Sequence, residues 1–316
     1  MPKRKPERIK IMLDSGAFSA WGKNETLDLA QYIDFIKRYQ FDVDTYINLD
    51  VIPGKRGTAP TTREVDYAAQ ASLENYEAML AAGLKPIPVF HYGENFRWLE
   101  RLMMLGADYI CLGGTVGLKT PLKRKFLDDC FTMLTNARGE PLVRVHGLGV
   151  TEAQFVVRYP WHSVDSTSWM IAPIYGNILI PAPMRGSFST QIWIGGGERQ
   201  RGSISSSKNF ENLSESAQQH VREFAAACGC TLSDLRNDVY SRMVVFTSTL
   251  LLMQEHVARR FGHRRGSFAY RALGGKPRIK PQFHIILAGN TMTNPSITAV
   301  LRRSGARHCL RSYYEN

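Results

Sequence analysis

Short apolar segments alternate with amphipathic segments along the first half of the chain, and this alternation restricts the possible folds more than any other feature. The apolar segments have the length of β-strands, and the segments between them carry apolar residues at helical spacing. A regular strand, helix, strand order indicates parallel strands joined by crossover helices. We predict strands at residues 9–13, 43–49, 86–90, 109–112, 142–145 and 162–169, and two more at residues 283–288 and 307–313.

Eight strands in this order predict an α/β fold, specifically a closed (β/α)8 TIM barrel with a long insertion after the sixth strand. Apolar periodicity predicts helices at residues 26–39, 63–82, 98–105, 126–134, 152–158, 215–227, 239–261 and 295–304. Residues 171–216 are rich in Gly, Ser and Pro, which predicts a loop insertion with a small hairpin. The predicted parts are residues 1–170, the first six β/α units; residues 171–282, the insertion and a helical segment; and residues 283–316, the last two strands that close the barrel.

The size and composition of the chain exclude several classes of protein. With 316 residues, of which 44% are hydrophobic, it can bury a large core and is not a peptide-sized binder. No apolar run is long enough to span a bilayer, and the first residues lack the apolar region of a secretory signal. Five cysteines without a regular framework favour reduced thiols. We therefore expect a cytoplasmic protein without membrane contact, and its oligomeric state stays open.

The strong positive charge points to a polyanionic partner. The formal net charge is +12 at pH 7 and the sequence pI is about 9.6, a field that attracts nucleic acid. Any single basic cluster is more often a solvated face, but their sum disfavours an enzyme that acts on neutral small molecules. The candidate nucleic-acid contacts are Arg259, Arg260, Arg264, Arg265, Lys123 and Arg124.

Aspartates stand at three of the predicted strands, namely Asp14, Asp50 and Asp165. A carboxylate in a buried strand must be paired, protonated or used in chemistry, because its burial without a partner is costly. In a parallel barrel the loops after the strands open on one face, so these carboxylates would converge there with His91 and His146. Any single aspartate could instead form a turn or cap a helix. The three together predict an active site.

The order of these motifs resembles the tRNA-guanine transglycosylase family, and most closely its shorter, often phage-encoded relatives that place 7-deazaguanine bases in DNA. The family's Asp-Ser-Gly-Gly-Phe-Gln motif, its Gly-Gly-Leu loop and its glycine-rich turn after the fifth strand are similar to residues 14–19, 113–115 and 146–150. The family's second-strand aspartate falls on Asp50 and its nucleophilic aspartate on Asp165. The resemblance covers residues 9–170 well and the remainder weakly.

The resemblance implies a pentosyltransferase that exchanges guanine in DNA for a 7-deazaguanine base of the preQ0 type, through a covalent aspartyl-nucleotide. It implies Asp165 as the nucleophile, Asp14 as the general acid and base, and Asp50 as the acceptor for the guanine N1–H and amino group. Backbone groups of Gly113 and Gly114 would meet the carbonyl edge of the base. Further substrate contacts are implied for Ser15, Phe18, His91 and His146.

Two departures from the family's pattern affect how the substrate is held. Ala17 and Ser19 replace the motif's second glycine and its glutamine, which changes the contacts expected for the base and the ribose. The basic segment that follows the nucleophile and holds tRNA in the family is replaced by Ser-Thr-Ser-Trp at residues 166–169. Together with the short chain and the missing third cysteine of the family's zinc site, this second departure resembles the DNA-modifying branch of the family and so favours DNA over tRNA.

The family's zinc site is incomplete in this sequence. Cys228 and Cys230 match two of its three cysteines, whereas Ser233 stands at the third position. His256 or His263 could supply a nitrogen, but a structural zinc site needs four ligands. We therefore expect ordinary helix-end cysteines and neither a metal ion nor another cofactor.

Several alternatives stay open at this point. The same chemistry could serve a tRNA-guanine (queuine-type) transglycosylase, and the barrel could instead be a non-catalytic DNA-binding scaffold of a modification system or a small-molecule hydrolase or lyase. Phe18 could be a core aromatic, and His91 and His146 could be structural histidines. The expected partners are DNA and a 7-deazaguanine base as co-substrate, in the host cytoplasm if the gene is phage-encoded.

Overall fold

A computed structural model describes residues 11–55, 57–182, 188–195, 208–262 and 282–285. The strands of the first half of the chain are β1 (Met12–Leu13), β2 (Thr45–Tyr46), β3 (Val89–His91), β4 (Tyr109–Gly113), β5 (Arg144–Gly147) and β6 (Ser163–Ser166). The helices between them are α1 (Ala17–Lys23), α2 (Leu29–Arg38), α3 (Thr62–Ala81), α4 (Phe96–Met104), α5 (Thr120–Leu134) and α6 (Ala153–Val156). The predicted alternation of strands and helices is confirmed over this part of the chain.

The strands pair in parallel and in chain order. One sheet contains β3, β4, β5, β6 and β9 (Gln282–Ile285) in that order, and β1 pairs in parallel with β2. A parallel bridge between Ile47 and Ile87 joins the segment after β2 to the segment before β3. The chain therefore has an α/β fold with consecutive crossovers of the kind that bring the carboxyl ends of parallel strands to one edge.

Strands β3 to β6 are mostly buried on both faces, as expected for parallel strands. On the face covered by helices, Ile110 and Leu112 of β4 pack in the larger core with residues of α4, α5 and α10 (Val239–Gly262). On the opposite face, Tyr109 and Cys111 of the same strand pack in a smaller core with Val89 of β3. Side chains alternate between the two faces along a strand, so the odd-numbered and even-numbered residues of β4 pack in different cores.

Between β6 and β9, residues 171–212 contain more regular structure than the predicted loop insertion, and the helices predicted at residues 215–227 and 239–261 are confirmed. The elements between these two strands are α7 (Ser168–Ile174), β7 (Asn177–Pro181), β8 (Ser189–Trp193), a 3₁₀ turn (Phe210–Asn212), α8 (Glu215–Ala227), α9 (Leu232–Asn237) and α10. The antiparallel pair of β7 and β8 confirms the small hairpin. It packs against α10, where the Thr249 hydroxyl donates to the Leu179 carbonyl at 2.7 Å.

Three local predictions differ from the structure. Strand β6 ends at Ser166, whose Oγ accepts the backbone N–H of Ser168 at 2.9 Å, so the predicted strand end at Trp169 is wrong and Trp169 is a fully buried residue of α7. Helix α1 was not predicted, because Gly16 and Gly22 flank or interrupt a short segment of low helix propensity. Strands β1, β2, β3 and β6 are also shorter than predicted, whereas β4 extends one residue beyond its predicted end and β5 lies two residues later than predicted.

The strand predicted at residues 283–288 is confirmed in part by β9. The predicted helix at residues 295–304 and the predicted eighth strand at residues 307–313 lie outside the described residues. In the part of the chain that the structure describes, no helix combines the length and the apolar character needed to cross a bilayer.

Candidate active site

The three predicted aspartates converge on one face of the sheet. Asp14 follows β1, Asp50 lies beyond β2, and Asp165 is within β6. Burial raises the pKa of the Cys111 thiol in β4 well above its ordinary value, and the negative charges of Asp165, Asp50 and Asp14 raise it further. All three carboxylates therefore lie near this one thiol, which forms part of the smaller core below them.

Asp165 is held by the glycine-rich turn that follows β5. The backbone N–H of Gly149 donates to Oδ1 of Asp165 at 2.6 Å, a charge-assisted hydrogen bond. Gly149 has a φ of 67°, and a Cβ there would lie 2.9 Å from Cγ2 of Val116, so this turn requires glycine. The Asp165 side chain keeps 14% of its surface exposed. It is therefore fixed in position yet open to a substrate.

A chain of buried polar groups leads from the smaller core to Asp165. Tyr109 Oη lies 2.5 Å from Ser163 Oγ, which lies 2.6 Å from Nδ1 of His146, and Nε2 of His146 is 3.7 Å from Asp165 Oδ1. Burial raises the pKa of Tyr109 and so keeps its hydroxyl protonated. If Tyr109 donates to Ser163 and Ser163 to Nδ1, the His146 proton lies on Nε2, the nitrogen that faces Asp165. His146 is thus oriented toward the candidate nucleophile.

Asp14 has the electrostatic character of a proton carrier. Asp14 as a whole residue is exposed, but the protein atoms around its carboxyl group partly desolvate it, and this desolvation raises its pKa above the ordinary value for aspartate. The negative charges of Asp50 and Asp165 act in the same direction, whereas hydrogen bonds from the backbone N–H groups of Ser15 and Gly16 partly oppose them. A raised pKa is what a carboxyl group needs to serve as a general acid.

Asp50 is the buried member of the three and is bonded on both oxygens. The hydroxyl of Ser15 donates to Oδ1 at 3.1 Å, and Nε2 of His91 contacts Oδ2 at 3.0 Å. The backbone N–H of Ala17 donates to the Ser15 hydroxyl at 3.2 Å, so α1 fixes Ser15 in turn. The other ring nitrogen of His91 lies 3.0 Å from Oε1 of Glu94.

The glycines after β4 allow the backbone to approach His91 closely. A Cβ at Gly113 would lie 2.9 Å from Cδ2 of His91, its register partner in β3. Gly114 has a φ of 69°, and a Cβ there would lie 3.0 Å from the backbone N of Tyr92. The predicted Gly-Gly loop therefore lies beside the Asp50 and His91 pair, at the same edge of the sheet.

Phe18 lies on the surface of α1, with 61% of its area exposed. Its ring centroid is 5.8 Å from that of Trp21, whose Nε1 donates to the Gly54 carbonyl at 2.9 Å. The alternative of a core aromatic is therefore wrong. An exposed ring four residues after Asp14 is available to stack on a planar ligand.

The predicted nucleic-acid contacts differ in their exposure to solvent. Arg259 and Arg260 are exposed in the last turn of α10, and Arg124 is exposed on α5. Lys123 is buried and its Nζ lies 2.5 Å from Oε1 of Glu152, whose side chain is exposed, so the charge of Lys123 is already paired. The remaining predicted contacts, Arg264 and Arg265, lie outside the described residues.

The candidate zinc ligands show ordinary packing in the structure. Cys230 is buried with its Sγ 3.9 Å from the Ser241 carbonyl, and the ring of His256 lies 5.0 Å from that of Phe188. Within the described ranges no three His, Cys, Asp or Glu side chains are grouped so that they could hold a metal ion. His263 lies outside those ranges.

Three residues that support the site were not predicted from the sequence. Glu94 contacts His91, Ser163 contacts His146, and Tyr109 contacts Ser163. Glu94 follows the end of β3 by three residues, and this spacing from His91 was the one available signal. Ser163 and Tyr109 contact each other across 54 positions, which no local pattern reveals.

Comparisons with models of known protein families and with curated proteins found no match for this sequence. The resemblance to the transglycosylases thus stays a hypothesis. A function for this protein must therefore be inferred from its own residues and from the geometry that brings them together.

Proposed function

We propose that this protein is a DNA-guanine transglycosylase, which replaces guanine in DNA by a 7-deazaguanine base of the preQ0 type. The observation that carries the proposal is the convergence of Asp14, Asp50 and Asp165 on one sheet face, with Asp165 fixed by the N–H of Gly149. Base exchange with retention needs one carboxylate as nucleophile and a second as proton carrier. The parallel strands in chain order support the proposed (β/α)8 barrel as the scaffold.

In the first step, a carboxylate oxygen of Asp165 attacks C1′ of the target deoxyguanosine, and the C1′–N9 bond breaks. The electron pair of that bond leaves with guanine, which takes up a proton from Asp14. The product is an ester between Asp165 and C1′ of the DNA. His146 faces the same carboxylate and orients it for the attack.

In the second step the incoming base loses its N9 proton to the Asp14 carboxylate, and N9 attacks C1′. The ester bond breaks, and Asp165 leaves as a carboxylate. Each step inverts the configuration at C1′, so the two steps together retain it. Asp14 is protonated again by the incoming base, in place of the proton that left with guanine, and the enzyme is ready for another exchange.

Recognition of the base fits the groups around Asp50. Its carboxylate oxygens can accept hydrogen bonds from the N1–H and amino group of guanine, while backbone groups at Gly113 and Gly114 would meet the carbonyl edge. Phe18 supplies an exposed ring for stacking. The target base must leave the duplex to reach the carboxylates, and the basic character of the chain assists binding of the nucleic acid.

The proposal is tested by incubating the protein with radiolabelled 7-deazaguanine and, in parallel, duplex DNA, single-stranded DNA or tRNA. We expect acid-insoluble label in DNA, and none with the Asp165→Ala variant. Label in tRNA alone would keep the chemistry and assign it to a tRNA transglycosylase. Binding of DNA without label in any sample would support the non-catalytic scaffold.

The exposed arginines at the end of α10 give a separate prediction. Charge reversal in an Arg259→Glu, Arg260→Glu double variant should weaken binding to DNA of any sequence. It should also reduce the slope of log K against log salt by about one for each arginine that had neutralised a phosphate. Arg38→Glu, at an exposed position on α2, is the matched control. An unchanged slope in the double variant would place the DNA-binding face elsewhere.

A further inference from the structure

His91 is held between two buried carboxylates. Its Nε2 lies 3.0 Å from Oδ2 of Asp50 and its Nδ1 lies 3.0 Å from Oε1 of Glu94. The exposed fraction is 8% for the side chains of His91 and Asp50 and 3% for that of Glu94. A neutral imidazole has a single N–H and would leave one of these contacts between two acceptors, whereas the imidazolium donates to both.

The electrostatics of the pair of contacts agree with the imidazolium form. Burial alone would lower the pKa of His91, but the hydrogen bonds to Asp50 and Glu94, together with their negative charges, outweigh it and raise the pKa to about 10. The charged groups that contribute most to this shift are these two carboxylates. Asp50 reaches it from beyond β2 and Glu94 from the turn before α4.

After its internal contacts, each carboxylate oxygen of Asp50 can accept one further hydrogen bond. Each of its oxygens accepts one internal bond, from Ser15 or from His91, and each oxygen of a carboxylate can accept two. An ionised carboxylate has no proton to donate. Asp50 is thus a fixed pair of acceptors at the edge of the sheet where Asp14 and Asp165 also lie.

Gly113 shows that the His91 ring has little space to move toward β4. A Cβ at Gly113 would meet Cδ2 of the ring at 2.9 Å and Nε2 at 3.3 Å. Such a contact would displace the ring from Asp50 without removing any polar group. The strand backbone therefore confines the ring on this side while the carboxylates hold its two nitrogens.

We propose that His91, which lies between Asp50 and Glu94, is a positioning residue that fixes the two acceptor oxygens of Asp50. In this role it restricts the co-substrate to bases with adjacent ring N–H and amino donors. This inference rests on the proposed function, because it assigns the substrate edge read at the same site. A base without the amino group leaves one Asp50 oxygen with its internal hydrogen bond alone, so the complex loses one charge-assisted hydrogen bond. The substituent at position 7 of the base lies outside this contact.

The state of the His91 ring can be measured without any substrate. In protein carrying ¹⁵N-labelled histidine, with the His91 signals assigned from the His91→Gln variant, both ring nitrogens should be protonated at neutral pH. The signal should titrate near the pKa of about 10. Glu94→Gln should lower that midpoint because it removes one of the two negative charges. A ring that is neutral at pH 7 would overturn the inference.

The selectivity is measured as equilibrium binding of two free bases, 7-deazaguanine and 7-deazahypoxanthine, which differ in the amino group. The wild-type protein should prefer 7-deazaguanine by about 100-fold, and His91→Gln should reduce the preference to about tenfold or less. His220→Gln is the matched control, because His220 is bonded to the Pro181 carbonyl and lies on α8. A preference that survives in His91→Gln would overturn the inference.

Gly113→Ala provides a second variant if His91→Gln does not fold, since it displaces the ring and keeps every polar group. It should reduce the same ratio of affinities. Selective binding without transfer of label to any nucleic acid would reject the transglycosylase function and keep the role of His91. Transfer of label with selectivity that is independent of His91 would keep the transglycosylase function and reject the role of His91.

Discussion

Replacement of Asp165 by asparagine is expected to abolish base exchange, with a loss in rate on the order of 10⁴-fold or more. The amide oxygen is a poor nucleophile and cannot form the ester with C1′, so neither half of the exchange can proceed. The N–H of Gly149, which donates to Oδ1 of Asp165 at 2.6 Å, can also donate to an amide oxygen, in a weaker bond that is no longer charge-assisted. The variant should therefore keep its fold, and initial rates of label transfer measure the loss.

A trapping experiment separates the nucleophile from a merely structural aspartate. Wild-type protein quenched with denaturant during exchange should show a protein–DNA adduct on a denaturing gel, and Asp165→Asn should show none. Asp34→Asn, at an exposed position on α2, is the matched control and should form the adduct at the wild-type level. An adduct in Asp165→Asn would assign the nucleophile to another residue.

The fold could be predicted from the sequence wherever burial determines the pattern of apolar residues along a strand or helix. The five residues of β4 are all buried, and such a continuous apolar run between helical segments indicates a parallel strand. Ends of elements were harder to predict because they depend on local hydrogen bonds. The bond from the N–H of Ser168 to Ser166 Oγ ends β6 and places Trp169 in a helix, although its apolar character suits a strand equally well.

The candidate site was predictable to the extent that its residues follow strands. Asp14, Asp50 and Asp165 were identified because acidic residues at the ends of apolar runs need an explanation. Their supporting contacts depend on distances across the sheet. The pairing of His91 with Glu94 and that of Lys123 with Glu152 appear only once the chain is folded, and the second pairing buries a lysine that charge clustering had placed on the surface.

Asp14→Asn is expected to reduce exchange by about 10²- to 10⁴-fold, the usual contribution of a general acid and base. An amide cannot give a proton to the departing guanine or take one from the incoming base. In the wild-type protein the first step needs protonated Asp14, so its rate should fall as the pH rises through the raised pKa of this group. The variant should lose this dependence on pH, which single-turnover measurements of guanine release would show.

The same substitution should stabilise the fold, which distinguishes it from a variant that fails because it unfolds. A carboxyl group whose pKa is raised in the folded state is destabilising when ionised, so the penalty is present at neutral pH and disappears as the pH falls below the ordinary range for aspartate. Asp14→Asn removes that penalty. Its melting temperature should exceed that of the wild type at neutral pH, and the difference should shrink in acid. A variant that is both less active and less stable at neutral pH would contradict the proton-carrier role, because it would show that the ionised carboxylate serves the fold.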